Sequence, residues 1–473
     1  MNTKAVYWPN GNPESEYRSS FTNRLHKLLS LLPSNSRVQD VVGPIQETGE
    51  KKLREIGLKA RAFNALFHAW EALHLVQDND KMLLRADVLQ ALKSHPEIAA
   101  DLQMDHTELV HAFEEVHSFL VRLGNRLFAW TAPYFADHMT LHAQFWNASR
   151  GIVFTAGDSQ APYLLTSIES IRQLGCDLPI EVMYLGDDDL SAASRVELED
   201  MPGVVTRDMS PMVNDDGWKL RGWAAKPFAI LLSTFREVIF IDADSLFLQN
   251  PADLFLHQGY QDTGALFFKD RLFMPGSKKE WLKAILPPNI SKKVKSSRLW
   301  TGESTHMQES GVVVVDKWRH FIALLLVTRM NGPDRDGSKE DGRVGVYDMV
   351  FGDKETFWLG WELVGDTDYV FHGGDAAVMG KVEVSPKLEI STDNSTANDR
   401  LEDTNSHFTI CAPQILHLGE DGRPMWFNGW ILPNKFSQDD HQEPANFEAF
   451  ISEPRDPQNA GSWKLQKDNN MKH

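Results

Sequence analysis

The chain has 473 residues, 42% of them hydrophobic and 24% charged, the composition of a globular protein with room for a large core and two structural units. A formal net charge of -18 argues against a nucleic-acid backbone or an anionic membrane surface as partner, and leaves open an anionic small molecule neutralised by a metal and a local lysine or arginine. Cys176 and Cys411 are the only cysteines, too few for a disulfide framework or a thiolate metal cluster.

From Phe21 to Phe145 apolar residues recur at three and four positions, as in Leu25, Leu28, Leu29 and Leu32 and again in Leu109, Phe113, Val116, Phe119, Leu120 and Leu123. Residues 1–148 are therefore expected to form a mostly helical region. At Gly151 the texture changes to alternating strands and helices: a strand over 151–157, a helix over 161–174, a strand over 179–185, a helix after Ser191 and a strand ending at Ile241. That alternation predicts an α/β fold with a mostly parallel, twisted sheet flanked by helices. Further strands are expected at 264–268 and 311–315, a surface excursion at 275–299, a loop at 331–343 and a polar, loosely held tail over 438–473. No run approaches the roughly 20 apolar residues of a membrane span, and residues 1–20 lack the apolar core of a signal peptide.

The run Val238-Ile239-Phe240-Ile241-Asp242-Ala243-Asp244 is the most informative in the chain. A continuous apolar strand suits a parallel sheet covered on both faces, and ligands of such sheets sit beyond the carboxyl ends of the strands. Two carboxylates at that point can face one place in an extended backbone, and such hard oxygen donors suit a divalent cation. The same spacing at Asp78/Asp80, Asp187/Asp189, Asp334/Asp336 and Asp366/Asp368 lies in polar or glycine-rich surroundings, where a solvated turn is expected.

Other segments add candidate chemistry. Lys226, just before Pro227 at a helix start, can reach a phosphate beside a metal. His417, between apolar neighbours, is either a hydrogen-bonded core histidine or a third metal ligand. Gln308-Glu309-Ser310-Gly311 and Gly352-Asp353-Lys354-Glu355-Thr356 can each end an element in a carboxylate or hydroxyl, although Asp353 suits a helix cap equally well. Trp358, Trp361, Trp426 and Trp430 lie near these segments and either pack the core or stack on sugar rings.

Taken in order, Thr155-Ala156-Gly157, the Trp223/Lys226 helix start, Asp242-Ala243-Asp244, Glu309-Ser310-Gly311, Gly352-Asp353-Lys354-Glu355-Thr356-Phe357-Trp358 and His417-Leu418-Gly419 resemble the fungal α-mannosyltransferases that build mannan outer chains. The resemblance runs from about Gly151 to Trp430 and implies a GT-A type nucleotide-sugar transferase fold with a catalytic domain over 149–437. It also implies GDP-mannose as donor, manganese as cofactor, a mannose-containing glycan acceptor, retention of the anomeric configuration and a Golgi setting in protein glycosylation or cell-wall mannan synthesis. Asp242, Asp244 and His417 would hold the metal, and Thr155, Gly157, Trp223, Lys226, Asp242 and Ser310 would contact the donor. Asp353 or Glu355 would be the carboxylate near the reacting carbon, by either same-face attack or a covalent step. The α-1,3 linkage has α-1,2 transfer, or another nucleotide sugar, as its alternative. Relatives of this kind carry a Golgi anchor that is not visible here.

Two rivals stand beside this reading. A strand ending in Asp-x-Asp also resembles the first motif of haloacid-dehalogenase-like phosphatases, but Leu246 stands where that motif wants Thr or Val. A non-catalytic glycan-binding module would be expected to have lost ligands that are present here.

Overall fold

The computed structural model describes residues 15–78, 81–85, 87–135, 137–272, 274–384, 408–429, 449–452 and 464–467. Trp430 lies outside them, and so does most of the segment read as a polar tail.

Helices fill most of the first part of the chain, the longest being Gly49–His74 and His106–Leu127. The second starts cleanly because the Asp105 carboxylate accepts hydrogen bonds from the backbone N–H of Thr107 and Glu108, two donors the helix itself cannot satisfy. A short antiparallel hairpin, β1 (Leu75–Asp78) with β2 (Lys81–Leu84), interrupts the helices where periodicity alone predicts none.

A seven-stranded sheet follows, built from β3 (Arg150–Thr155), β4 (Ile180–Tyr184), β5 (Val204–Asp208), β6 (Glu237–Ile241), β8 (Ala265–Lys269), β9 (Gln308–Asp316) and β10 (Val370–Phe371). Its order is β10-β8-β9-β6-β3-β4-β5, and every pairing is parallel except those of β9, which runs antiparallel to β6 and β8. The expected α/β architecture, a mostly parallel sheet flanked by helices, is thus observed, with one reversed strand that the alternation of elements did not reveal.

Both faces of this sheet are covered, which explains the unbroken apolar runs. Ile152, Phe154, Ile239, Ile241, Val312 and Val314 pack with the helix Ala161–Gln173 on one face. Val153, Phe240, Val313 and Val315 face the other way, toward the buried helices Phe321–Asn331 and Thr356–Val364 and the helices of the first 148 residues. The N-terminal helices therefore share one core with the sheet. Gly57 shows how closely they dock: a Cβ there would meet the Leu363 side chain at 2.8 Å.

A second, antiparallel sheet runs β15-β14-β11-β12-β13-β7, from β7 (Ser245–Phe247), β11 (Ala376–Val384), β12 (Phe408–Leu418), β13 (Pro424–Asn428), β14 (Ala449–Ser452) and β15 (Lys464–Lys467). Two of its strands, β14 and β15, lie in the stretch read as a loose tail. The chain leaves the first sheet at β6 and enters the second at β7. Asp242, Ala243 and Asp244 are the link between them.

Candidate active site

The link is a tight turn. The Asp242 N–H donates to the Gly311 carbonyl at 2.8 Å, and the Ser245 N–H donates back to the Asp242 carbonyl at 2.9 Å. Gly429 N–H donates to the Asp244 carbonyl at 2.8 Å, so both sheets hold the turn. Gly311 must lack a side chain: a Cβ there would meet Asn428 Nδ2 at 2.8 Å and Ser245 Oγ at 3.1 Å.

Asp242 and Asp244 open onto a cavity of about 760 Å³, and Thr155, Gly157, Trp223 and Lys226 line it too. The end of β3 supplies one wall and the start of the helix Ala225–Leu232 another. Gly157 is fixed by its surroundings: its N–H donates to Gln160 Oε1 at 3.0 Å, and a Cβ would meet Asp189 Oδ1 at 2.6 Å. Asp189, grouped with the solvated turns in the sequence, lines the cavity and accepts from the Leu185 N–H at 2.9 Å. Asp334, from the same group, is buried between Arg329 Nε at 2.5 Å and Lys52 Nζ at 2.6 Å. Lys219 and Arg221 also line the cavity, adding cationic groups that the resemblance did not single out.

Lys226 is buried and organises the charges at the inner end. Its ammonium donates to Asp242 Oδ2 at 2.7 Å and Ser310 Oγ at 3.3 Å and stands 3.5 Å from Asp353 Oδ2. Burial opposes the charge on Lys226, but Asp242, Asp353 and Glu309 outweigh it and raise the ammonium above the ordinary lysine range. The Asp242 carboxyl is pushed up to about 8, first by burial and then by Asp244 and Asp353, against the pull of Lys226. One lysine thus serves more carboxylates than it can neutralise. That is the local charge pattern of a site completed by a further cation.

A second ion cluster lies alongside. Lys354 Nζ bridges Glu309 Oε2 and Asp270 Oδ2, the latter at 3.0 Å. Glu309 Oε1 accepts from the Gly311 N–H and from Asn428 Nδ2, each at 3.0 Å. Burial works against ionisation of Glu309, but the Lys354 ammonium, by its charge and its hydrogen bond, holds the carboxyl low.

Several expected residues lie elsewhere: Ser310 and Asp353 are buried around Lys226 and do not line the cavity. Glu355 is buried, and its carboxylate accepts from the Met307 N–H at 2.7 Å and from Trp358 Nε1 at 2.5 Å, so it ties the helix Thr356–Val364 to β9 and does not line the cavity. Burial pushes its carboxyl up to about 7. Trp358, Trp361 and Trp426 are core residues, each 1% exposed or less.

His417 is not gathered with the two aspartates: Asp242, Asp244 and His417 do not form a trio whose ligand atoms all lie within 4.8 Å. His417 pairs with Trp426 across the second sheet, and Trp426 pairs with Phe247, so two strand spacings separate it from the strand leaving the turn. Its ring stacks on Trp426 at 3.9 Å with Phe268 edge-on at 5.5 Å. Burial drops its pKa to about 3, and Nε2 has no hydrogen-bond partner. It remains a neutral base within the core.

Among the described residues one other trio has the spacing of metal ligands, His257, His372 and Glu420. Its tautomers oppose that role. His257 Nδ1 accepts from the Gly259 N–H and His372 Nδ1 from the Gly374 N–H, so each neutral ring carries its proton on Nε2. With both backbone bonds in place, neither Nε2 has a lone pair to give.

A family model described as "Mannosyltransferase putative" matches residues 149–419. The chain is 27% identical over 321 residues to "Putative alpha-1,3-mannosyltransferase MNN14" of Candida albicans, covering 62% of this chain and 44% of that protein. It is 25% identical over 356 residues to "Alpha-1,3-mannosyltransferase MNN1" of Saccharomyces cerevisiae, covering 64% and 44%. Among solved structures, core-mannan synthase A from Aspergillus fumigatus in its Mn/GDP form aligns over 48% of this chain and 74% of its own, at 11% identity and a TM-score of 0.30. The chain spans less than half the length of the two curated relatives. The family match takes in both sides of the cavity and more than half of the residues, and the chain belongs to this mannosyltransferase family.

Proposed function

We propose that this chain transfers mannose from GDP-mannose to a mannoside acceptor, forming an α-1,3 linkage with retained configuration and using manganese. The observation that carries this reading is the shared cavity, with Asp242, Asp244 and Lys226 at its acidic turn and Thr155 and Gly157 at the same end of the neighbouring parallel strand β3. Family membership supports the sugar, and the surplus of carboxylates over ammonium at the turn supports a divalent ion.

The donor set fits that ion: two carboxylates on one turn, both facing the cavity, are the hard oxygen ligands that manganese or magnesium takes. When bound by Asp242 and Asp244, it would supply positive charge against a diphosphate. The chain's own groups do the rest. Lys226, with Lys219 and Arg221 farther along the wall, offers ammonium and guanidinium charge to the departing diphosphate, where each such group can lower the barrier electrostatically. Asp353, buried behind Lys226 and not itself lining the cavity, helps keep that ammonium charged, has one oxygen without a donor and is, on this reading, the carboxylate that answers a cationic sugar carbon. On this reading the setting is the Golgi. Among the described residues no helix is long and apolar enough to cross a membrane.

The test is release of GDP from GDP-mannose with and without manganese and a mannoside acceptor, with linkage analysis of the product. Release that needs both, and an α-1,3-linked product, would support the proposal. Hydrolysis of a simple phosphate monoester without sugar transfer would favour the phosphatase rival.

A further inference from the structure

Two large aromatic side chains stand in water at the rim of the cavity. Trp223 is 60% exposed and Phe351 is 63% exposed, and their ring centroids lie 6.3 Å apart at 35°. A Trp and a Phe left open side by side forfeit the stabilisation that burial of either would give, roughly 1.5–3 kcal/mol for a Phe. Isolated exposed apolar residues need no explanation, but an adjacent pair at the edge of a site marks a surface that something covers.

The pair is held in place. Trp223 sits in the short turn Gly222–Ala224 that leads into the Lys226 helix. Beneath it lies Gly352, whose φ of +63° favours glycine and where an added Cβ would stand only 3.2 Å from the indole. Phe351 precedes that glycine, so the ring seats and Asp353 belong to one stretch of backbone. His306 meets Phe351 edge-on at 6.0 Å.

The pair spans the boundary of the cavity. Trp223 lines the cavity and Phe351 does not, so the two rings straddle its edge, one on the wall and one outside. His306, which meets Phe351, also lies within the electrostatic reach of Asp270 and the partly exposed Lys354, so polar groups for sugar hydroxyls lie near the apolar face. A flat aromatic surface beside charged hydrogen-bonding groups matches a pyranose ring, with one face of C–H groups and a periphery of hydroxyls.

We infer that Trp223 and Phe351 form the platform on which the terminal sugar of the acceptor glycan lies, presenting its hydroxyl toward Lys226 and Asp353. This rests on the mannosyl-transfer reading for its choice of sugar. The chemistry is that of a neutral mannoside and not of the anionic donor.

The test uses Phe351→Ala and Phe351→Trp in the full chain. With GDP-mannose and a mannobiose acceptor, Phe351→Ala is expected to raise the acceptor KM by about 5- to 10-fold, the scale of one aromatic contact, while the donor KM moves far less. Phe351→Trp should bring the acceptor KM back toward the wild-type value. An acceptor KM within two-fold of wild type in Phe351→Ala, or equal losses for donor and acceptor, would overturn the platform. Should the wild-type chain transfer no mannose at all, the functional reading fails separately. Quenching of tryptophan fluorescence by mannotriose, weakened in Phe351→Ala, would then still uphold the platform, and equal or absent quenching in both proteins would sink it.

Discussion

The Lys226 ammonium stands 3.5 Å from Asp353 Oδ2, a buried oxygen for which no hydrogen-bond donor is present. On the mannosyl-transfer reading that carboxylate, held beside the lysine, sets its negative charge against a positive sugar carbon. Asp353→Asn preserves the shape and removes the charge. It is expected to lower kcat by about 100-fold or more, the usual cost of one electrostatic group in an active site, with the melting temperature little changed. Steady-state kinetics with GDP-mannose check this.

Lys226→Met should harm both binding and stability. It strands the Asp242 carboxylate that now accepts its hydrogen bond at 2.7 Å, and losing one partner of a buried pair costs about 3–5 kcal/mol. Because the penalty is the stranded charge, Lys226→Met combined with Asp242→Asn is expected to recover much of the stability while remaining inactive. Denaturant titrations of the two variants measure the difference.

Gly157→Ala is expected to raise the donor KM at least 10-fold with little change in the fold. The new methyl would meet Asp189 Oδ1 at 2.6 Å and the Asp189 carbonyl at 2.9 Å, so the loop that forms one wall of the cavity must shift. Donor titration followed by product analysis reads this directly.

The acidic turn was legible because a fully buried strand ends in two charges, a conflict that points to function wherever it occurs. Gly157 and Lys226 were legible only through the order of motifs, which the cavity then brings together. What lay hidden was the second sheet. β7 is three residues long, and its partner β13 follows 176 residues after it, so neither periodicity nor turn chemistry could announce the pairing. That pairing decides the position of His417, whose sequence neighbours fit a ligand and a core residue equally. Glu355 was misplaced for a similar reason: in the string that ends at Trp358, the residue facing inward depends on how the helix docks against β9.

Glu355 also gives a pH prediction. Its carboxyl, ordinarily near 4.5, is raised to about 7 in the fold, so the stability it contributes is full below 4.5 and is lost as pH rises through about 7. Glu355→Gln stays neutral throughout. The melting temperature of the wild type should therefore fall relative to the variant between about pH 4.5 and 7, while the variant keeps most of its activity. A large fall in kcat with parallel melting curves would instead make Glu355 a reacting group.

The most direct test of the central claim is calorimetric titration of GDP into wild type and Asp244→Ala, each with and without manganese. The account predicts that manganese strengthens GDP binding to the wild type by 10-fold or more, about 1.4 kcal/mol, and has no such effect on Asp244→Ala. Equal manganese-dependent binding by both proteins would contradict a cation held at the acidic turn.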